Sequence, residues 1–188
     1  MAKVMVFNQI SIDGYFTDAR GDMSWAHKDD DDPEWKSFVE GNAKSAGAIL
    51  LFGRITYDMM AAHWPTPQAK KTQPGVAEGI NAAEKIVASK TLESASWNNT
   101  RVLRGDLASE VRKLKQGAKD IVIMGSGQVV SQLTQARLID AYQLVIKPIA
   151  LGAGRTMFAG VDDRLDLELT ETRPFKNGNV VLSYQRAS

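Results

Sequence analysis

The sequence contains no cysteine, so disulfide bonds and thiolate chemistry are excluded for this chain. It has only two histidines, His27 and His63, which lie far apart and give no metal-ligand spacing. No apolar run is long enough to span a membrane, and the first residues lack the charged, apolar and small-residue regions of a signal peptide. We therefore expect a cytoplasmic protein with no metal site.

An excess of one charge is also missing, since 23 Lys and Arg balance 22 Asp and Glu for a net charge of +1. This balance gives no electrostatic argument for nucleic acid or an anionic membrane as the main partner. Hydrophobic residues at 44% and charged residues at 24% are typical of a globular protein. No repeat or linker divides the chain, so we expect a single domain over residues 1–188.

Apolar runs alternate with amphipathic segments over most of the chain. The sequence predicts strands at 4–10, 48–52, 85–89, 100–103, 120–124 and 140–146, and helices from 33, at 55–62, from 107 to about 117, and from about 128. The polar segment 68–81 has no clear period and is predicted as a loop with room for one helical turn. Residues 18–22 and the acidic run 29–32 are also predicted as loops. Two β-rich stretches, 165–172 and 180–185, flank the turn signal Asn177-Gly178. This order predicts an α/β fold with a mixed, mainly parallel sheet, helices on both faces and an antiparallel C-terminal hairpin.

Residues 121–130 run as an apolar strand through Gly125-Ser126-Gly127 into a helix that begins near Gln128. The start of a helix directs unpaired N–H groups and the positive end of the helix dipole at whatever lies above it. Glycines at such a junction let a phosphate approach the backbone. The third glycine of the Rossmann fingerprint is missing, because position 130 is Val130. The segment predicts a phosphate-binding turn, and the alternative is an ordinary tight strand-to-helix turn.

Two further strand ends carry groups that suit an anionic ligand. They are Gly53, Arg54 and Thr56 at a helix start, and Ser89, Lys90 and Thr91 directly after a strand. In an open α/β sheet, ligands lie beyond the carboxyl ends of parallel strands, so all three ends could share one crevice. The alternatives are a surface ion pair for Arg54 and turn capping by Ser89 and Thr91.

The order of these motifs resembles the dihydrofolate reductase superfamily. The resemblance is stronger to the bacterial proteins that share the reductase domain of the riboflavin-biosynthesis deaminase-reductase. The matching segments are SIDG at 11–14, DPEW at 32–35, LFGRITY at 51–57, HWP at 63–65, VASKTL at 87–92, IVIMGSG at 121–127, LIDAY at 138–142 and PIALGAGR at 148–155. They span nearly the whole chain and are specific for fold and cofactor, and less so for substrate.

The resemblance implies NADPH as the cofactor. In the family, the segment matching Gly53, Arg54 and Thr56 lies along the cofactor phosphates. The segment matching Ser89, Lys90 and Thr91 meets the adenosine 2′-phosphate, which favours NADPH over NADH. Gly125-Ser126-Gly127, with Gln128, would hold the pyrophosphate. Classical dihydrofolate reductases have paired glycines at this turn, and because Ser126 departs from that pattern, the resemblance does not imply their unusual backbone.

The resemblance also implies a carboxyl that serves the reacting ring, and two residues are candidates. Spacing back from Gly53 indicates Glu34, with Asp32 next, whereas the Ser-x-Asp-Gly motif puts Asp13 near the expected nicotinamide position. The structural alternatives are that Asp13 stabilises the turn at Gly14 and that Glu34 is a first-turn carboxylate favoured by the helix dipole.

We interpret the sequence as an NADPH-dependent reductase that delivers hydride to a C=N or C=O bond of a small heterocyclic or ribosyl substrate. The resemblance points to 5-amino-6-(5-phosphoribosylamino)uracil reductase activity in riboflavin biosynthesis, although the zinc signature of the accompanying deaminase is missing. The alternatives are a folate or pteridine reductase and a non-catalytic, nucleotide-binding dimeric protein. The C-terminal hairpin, with residues 148–155, is expected to form a homodimer interface.

Overall fold

The computed structural model describes residues 1–27, 32–44 and 47–187. Its strands are β1 (Val4–Ser11), β2 (Tyr15–Asp18), β3 (Ile49–Gly53), β4 (Glu84–Ala88), β5 (Thr100–Leu103), β6 (Ile121–Ile123), β7 (Ala141–Lys147), β8 (Gly154–Thr156), β9 (Leu167–Pro174) and β10 (Val180–Arg186). Eight of them form one sheet in the order β5-β4-β3-β6-β1-β7-β10-β9. The pairings from β5 to β7 are parallel, and β10 joins β7 and β9 antiparallel. The mixed sheet with a C-terminal hairpin confirms the predicted fold class.

The helices are α1 (Pro33–Lys44), α2 (Arg54–His63), α3 (Pro67–Thr72), α4 (Pro74–Ala82), α5 (Leu107–Lys115) and α6 (Gly127–Gln135), with a short 3₁₀ helix at Ser24–His27. They cover both faces of the sheet, as the alternating side chains of β3 illustrate. Leu51 packs in the cluster that contains α5 and α6, whereas Phe52 packs with α2 and α4. None of the helices in the described ranges is long and apolar enough to cross a membrane.

The predicted loop at 68–81 is wrong, because this segment forms α3 and α4. Thr66 caps α3 by accepting the N–H of Ala69 at 3.2 Å. Pro67 and Pro74 each stand in the first turn of a helix, where proline is tolerated because that N–H needs no partner. Buried residues of α4 at helical spacing provide the missing periodicity, namely Val76, Ala77 and Ile80.

A second small sheet, formed by β2 and β8, was not predicted. The two strands have four and three residues, which is too short for a clear alternation of polar and apolar side chains. Asp18, expected in a loop, is the last residue of β2 and pairs with Gly154. Of the acidic loop predicted at 29–32, only Asp32 belongs to the described residues.

Lys85, in β4, is a fully buried lysine. Its Nζ donates to the carbonyl oxygens of Ile80 at 3.0 Å, Asn81 at 3.0 Å and Ala83 at 2.6 Å, and so caps the end of α4. The ammonium also lies 4.7 Å from the centre of the Trp97 ring. Burial lowers the pKa of Lys85 from 10.5 to about 8.

Candidate active site

The three strand ends singled out in the sequence lie side by side, because β4, β3 and β6 are neighbours in the sheet. The contact between the ends of β3 and β6 is direct, since the Gly53 N–H donates to the Gly125 carbonyl at 3.0 Å. A Cβ atom on Gly53 would stand 2.3 Å from Ser126 Oγ, so only glycine allows this approach. The three predicted strand ends therefore lie together at one edge of the sheet.

The turn at 125–127 has a specialised backbone. The peptide bond between Gly125 and Ser126 is cis, and Gly125 has a φ of +103°. A Cβ on Gly125 would lie 3.0 Å from the Thr56 hydroxyl oxygen, which brings the first turn of α2 against this backbone. The sequence left open whether Ser126 is compatible with an unusual backbone here, and the structure contains one.

Two helices begin at this edge without a capping side chain. The N-cap residue of α2 is Gly53, which has no side chain. The N-cap residue of α6 is Ser126, whose hydroxyl makes no capping hydrogen bond. By contrast, α1, α3 and α5 are capped by the side chains of Asp32, Thr66 and Asp106, whereas α4 also begins without a capping side chain. The N–H groups and positive dipole ends of α2 and α6 are thus available to an anionic group in the crevice.

The basic residue at the β3 end, Arg54, is engaged in an ion pair. Its Nε lies 2.6 Å from Asp58 Oδ2, one turn along α2, and both side chains are largely exposed. This is the surface ion pair that the sequence left as an alternative. A phosphate at this position would compete with Asp58 for the guanidinium, which is a small cost for an exposed pair.

The segment after β4 combines a turn with an exposed cation. Ser89 Oγ accepts the N–H groups of Thr91 at 3.3 Å and Leu92 at 3.1 Å, whereas Lys90 and Thr91 are exposed. The pKa of Asp106 is lowered chiefly by hydrogen bonds from Ser109, and further by the nearby charges of Arg112 and Lys90. The ammonium of Lys90 therefore lies near the start of α5.

A cavity of about 350 Å³ lies between the start of α5 and the outer face of α6. Its lining residues are Asp106, Ala108, Ser131, Gln132, Gln135, Ala159 and Gly160. It is mostly lined by small and uncharged polar side chains, together with the Asp106 carboxylate. Such a cavity suits a flat, polar ring adjoining an anionic group.

The glycine that starts α6 is covered by the small sheet. A Cβ on Gly127 would meet ring atoms of Phe16 at 2.7 Å and 2.9 Å, and the Thr156 carbonyl oxygen at 3.6 Å. Phe16 belongs to β2 and Thr156 to β8, so both strands lie over the first turn of α6. Gln128, the next residue of the helix, is exposed.

Asp13, one of the two candidate carboxyls, follows the end of β1. It accepts the Ser11 hydroxyl at 2.6 Å and the N–H groups of Leu151 at 3.0 Å and Gly152 at 2.7 Å. Hydrogen bonds from Ser11 and Gly152 are the main causes that lower the pKa of Asp13 to about 2. In this arrangement Asp13 is an ionised acceptor that ties the end of β1 to the loop after β7.

Glu34, the other candidate, lies in the first turn of α1 and is exposed. Its carboxylate lies 3.0 Å from the guanidinium of Arg173 on β9. Asp32 caps the same turn, accepting the Glu34 N–H at 2.9 Å through Oδ1 and the Asn177 N–H of the hairpin turn at 3.3 Å through Oδ2. The two candidate carboxyls thus belong to different hydrogen-bond networks.

The buried polar residues beneath α1 were not predicted from the sequence. Lys147, at the end of β7, is buried with its Nζ 5.3 Å from the centre of the Trp35 ring. It pairs in register with Ser11 on β1. Gln9, two residues earlier on β1, has a buried Oε1 without a hydrogen-bond partner. The sequence signal that could have identified this region is a lysine directly after the apolar run 144–146.

These features agree with a known family. The model of the RibD C-terminal domain matches residues 2–181. The chain belongs to the RibD C-terminal domain family. Reductase activity is the activity that this family suggests. Among the described residues, no three Asp, Glu or His side chains gather into a possible cation site.

Three solved structures share the fold of this RibD C-terminal domain. A Shewanella sp. PV-4 protein assigned to riboflavin biosynthesis is 21% identical, with a TM-score of 0.75 and complete coverage of both chains. Dihydrofolate reductase from Enterococcus faecalis, complexed with NADP(H) and RAB-propyl, is 16% identical with a TM-score of 0.67, covering 99% of this chain and 97% of that one. A Thermotoga maritima deaminase and 5-amino-6-(5-phosphoribosylamino)uracil reductase is 17% identical with a TM-score of 0.68, covering 99% of this chain and 57% of that one.

Proposed function

We propose that this RibD C-terminal domain is an NADPH-dependent reductase of a small heterocyclic or ribosyl substrate. The observation that carries the proposal is the junction of α2 and α6. Two helix N-termini without capping side chains begin at touching strand ends, where Gly53 donates to Gly125. One ligand with adjacent phosphate groups would satisfy both helix starts.

We assign successive parts of NADPH to the three strand ends and to the cavity beside them. The pyrophosphate would lie against Gly125, Ser126, Gly127 and Gln128, with Gly53, Arg54 and Thr56 beside it. The 2′-phosphate would meet Ser89, Lys90 and Thr91, and the adenine would lie toward the cavity between α5 and α6. When bound, the cofactor supplies a hydride, and the protein supplies orientation and shielding from water.

The substrate is expected at the other end of the crevice, where β1 and β7 end beneath α1. The buried acceptor Gln9 Oε1 and the Trp35 ring beside Lys147 suit a planar ring that carries N–H groups. An aminouracil ribose phosphate has such a ring, and the Thermotoga maritima relative is described as a reductase of that compound. A pterin or folate ring would fit the same chemistry, so both belong in the test.

We propose Glu34 as the carboxyl that provides a proton and Asp13 as a residue that holds the end of β1. The environment of Asp13 supports this division, because its three hydrogen-bond donors all favour the charged form. The role of Glu34 requires its carboxylate to leave Arg173 when substrate binds, which an exposed ion pair permits at little cost.

The proposal is tested by titrating wild-type protein with NADPH and NADH, followed by NADPH oxidation with a panel of substrates. The panel contains 5-amino-6-(5-phosphoribosylamino)uracil, dihydrofolate and a simple pteridine. Tighter binding of NADPH with oxidation of the uracil compound supports the proposal. Turnover of dihydrofolate, blocked by methotrexate, would favour folate reduction. Binding without any turnover would favour the non-catalytic alternative, and equal affinity for both dinucleotides would remove the cofactor assignment.

The same proposal includes a cytoplasmic homodimer. The edge strand β9 is exposed along most of its length, and its Leu169 side chain is 55% exposed. An exposed edge strand with an apolar side chain is normally covered in a stable protein, and a second copy related by a two-fold axis is the commonest cover.

A further inference from the structure

The loop that connects β4 to β5 has no regular secondary structure over residues 89–99, although it contains the proposed contacts to the 2′-phosphate. Arg104, the residue that follows β5, is not part of the loop but forms hydrogen bonds to its backbone. The Nη2 of Arg104 donates to the carbonyl oxygens of Leu92, at 3.0 Å, and of Glu93. These are charge-assisted hydrogen bonds, which are stronger than bonds between neutral groups.

Hydrogen bonds thereby hold both the N–H and the carbonyl group of Leu92. Its N–H donates to Ser89 Oγ at 3.1 Å, and its carbonyl accepts from Arg104. Lys90 and Thr91 stand between these two fixed points with exposed side chains. The backbone conformation at Lys90 therefore depends on Arg104.

We infer that Arg104 is a positioning residue for recognition of the adenosine 2′-phosphate, an inference that rests on the proposed function. Arg104 keeps the Ser89–Leu92 turn in the conformation that presents Lys90 and the hydroxyl groups. A loop ordered in advance loses less conformational entropy when its ligand binds. Because NADH has no phosphate at this position, Arg104 contributes to NADPH affinity and not to NADH affinity.

The test compares dissociation constants of NADPH and NADH for wild type and Arg104→Ala, measured calorimetrically on the whole chain. We expect NADPH affinity to fall about tenfold, the equivalent of one charge-assisted hydrogen bond, and NADH affinity to change less than about twofold. Arg104→Lys retains a cationic donor and should recover part of the loss. Arg101→Ala is the matched control, because Arg101 is an exposed arginine of β5 that pairs with Glu84 instead.

A double-variant cycle with Lys90→Ala separates positioning from direct contact. If Arg104 acts through Lys90 and the hydroxyl groups of the same turn, the loss in the double variant is smaller than the sum of the two single losses. Additive losses would overturn the inference in favour of a direct contact. An unchanged ratio of NADPH to NADH affinity with a lowered Tm would overturn it in favour of a purely structural role. Equal affinities in the wild type would remove the proposed function, and the inference with it.

Discussion

The ring of Phe16 lies 2.7 Å from the point where a Cβ atom would stand on Gly127. The sequence suggested that glycine is needed at this position to leave room for a pyrophosphate. In the structure, glycine is also needed to let β2 pack on the start of α6. A side chain at position 127 would therefore displace part of the protein before it met any ligand.

Gly127→Val is expected to lower the free energy of unfolding by about 1–3 kcal/mol, the usual cost of overpacking, and to abolish NADPH binding. Thermal unfolding and NADPH titration measure the two effects separately. Phe16→Ala in the same chain removes the clash with the ring, so the double variant should be no less stable than Phe16→Ala alone. Because the valine would still obstruct the pyrophosphate, binding should stay lost, and normal NADPH binding by the double variant would contradict the assignment of this turn.

Lys90→Ala is expected to weaken NADPH binding while NADH binding stays nearly unchanged. A charge-assisted contact to the 2′-phosphate contributes roughly 1.5–3 kcal/mol, which is on the order of a ten- to hundredfold loss in affinity. Titration of both dinucleotides measures the effect. Lys113→Ala is the control, because Lys113 is an exposed lysine of α5 that pairs with Glu110. Similar losses for the two dinucleotides would show that Lys90 does not meet the 2′-phosphate.

Asp13→Asn and Glu34→Gln should differ in how activity depends on pH. With a pKa of about 2, Asp13 is ionised throughout the working range, so Asp13→Asn should lower the rate without changing the shape of the profile. Glu34→Gln should change the shape of the kcat profile, since the variant has no proton to donate. Single-turnover rates of NADPH oxidation across pH give both profiles. A profile that changes only in Asp13→Asn would reverse the two roles.

Lys85 should make stability rise with pH. Its pKa is about 8 in the folded protein and 10.5 otherwise, so the unfolded chain binds more protons between these values. Stability contributed by this residue therefore increases from about pH 8 to 10.5.

Lys85→Met should abolish this rise and, by leaving carbonyls at the end of α4 without a donor, should cost about 1–3 kcal/mol at neutral pH. Denaturant unfolding at several pH values measures the difference from wild type. Lys113→Met, at an exposed site, serves as the control. A constant difference between wild type and Lys85→Met across the pH range would contradict the lowered pKa.

Leu169→Arg is expected to convert the proposed dimer to a monomer, because it places a charge in the middle of the exposed edge strand. Light scattering at micromolar concentration measures the mass. Ile55→Arg is the control, since Ile55 is 73% exposed but lies on α2, away from the hairpin. A wild-type monomer, or a dimer unaffected by Leu169→Arg, would remove the hairpin interface.

The sequence predicted the sheet and its helices where periodicity extended over several residues, as in β1 and α5. It failed at 68–81, where no clear period was visible although Pro67 and Pro74 begin helices. It also missed β2 and β8, whose pairing depends on a partner more than a hundred residues away. Short segments of this kind are fixed by tertiary contacts and not by local pattern.

In the candidate site, too, features with a local pattern were predicted and features that depend on tertiary contacts were missed. Glycines and cations directly after strands were visible in the sequence, and the sheet order brings their strand ends together. The contacts that distinguish the proposed roles of Asp13 and Glu34 were not visible in the sequence. The donors to Asp13 come from Leu151 and Gly152, and the partner of Glu34 comes from β9. Such contacts depend on how distant segments meet, which one sequence does not encode in any local pattern.

The Asp32 carboxylate has a consequence for the whole molecule. One of its oxygens holds the first turn of α1, and the other holds the tip of the C-terminal hairpin. A second subunit that immobilised the hairpin would also immobilise the turn that contains Glu34 and Trp35. Self-association and substrate affinity would then be thermodynamically linked, each strengthening the other by the same factor. In the proposed dimer, affinity for the proposed substrate would then rise with the concentration of the protein.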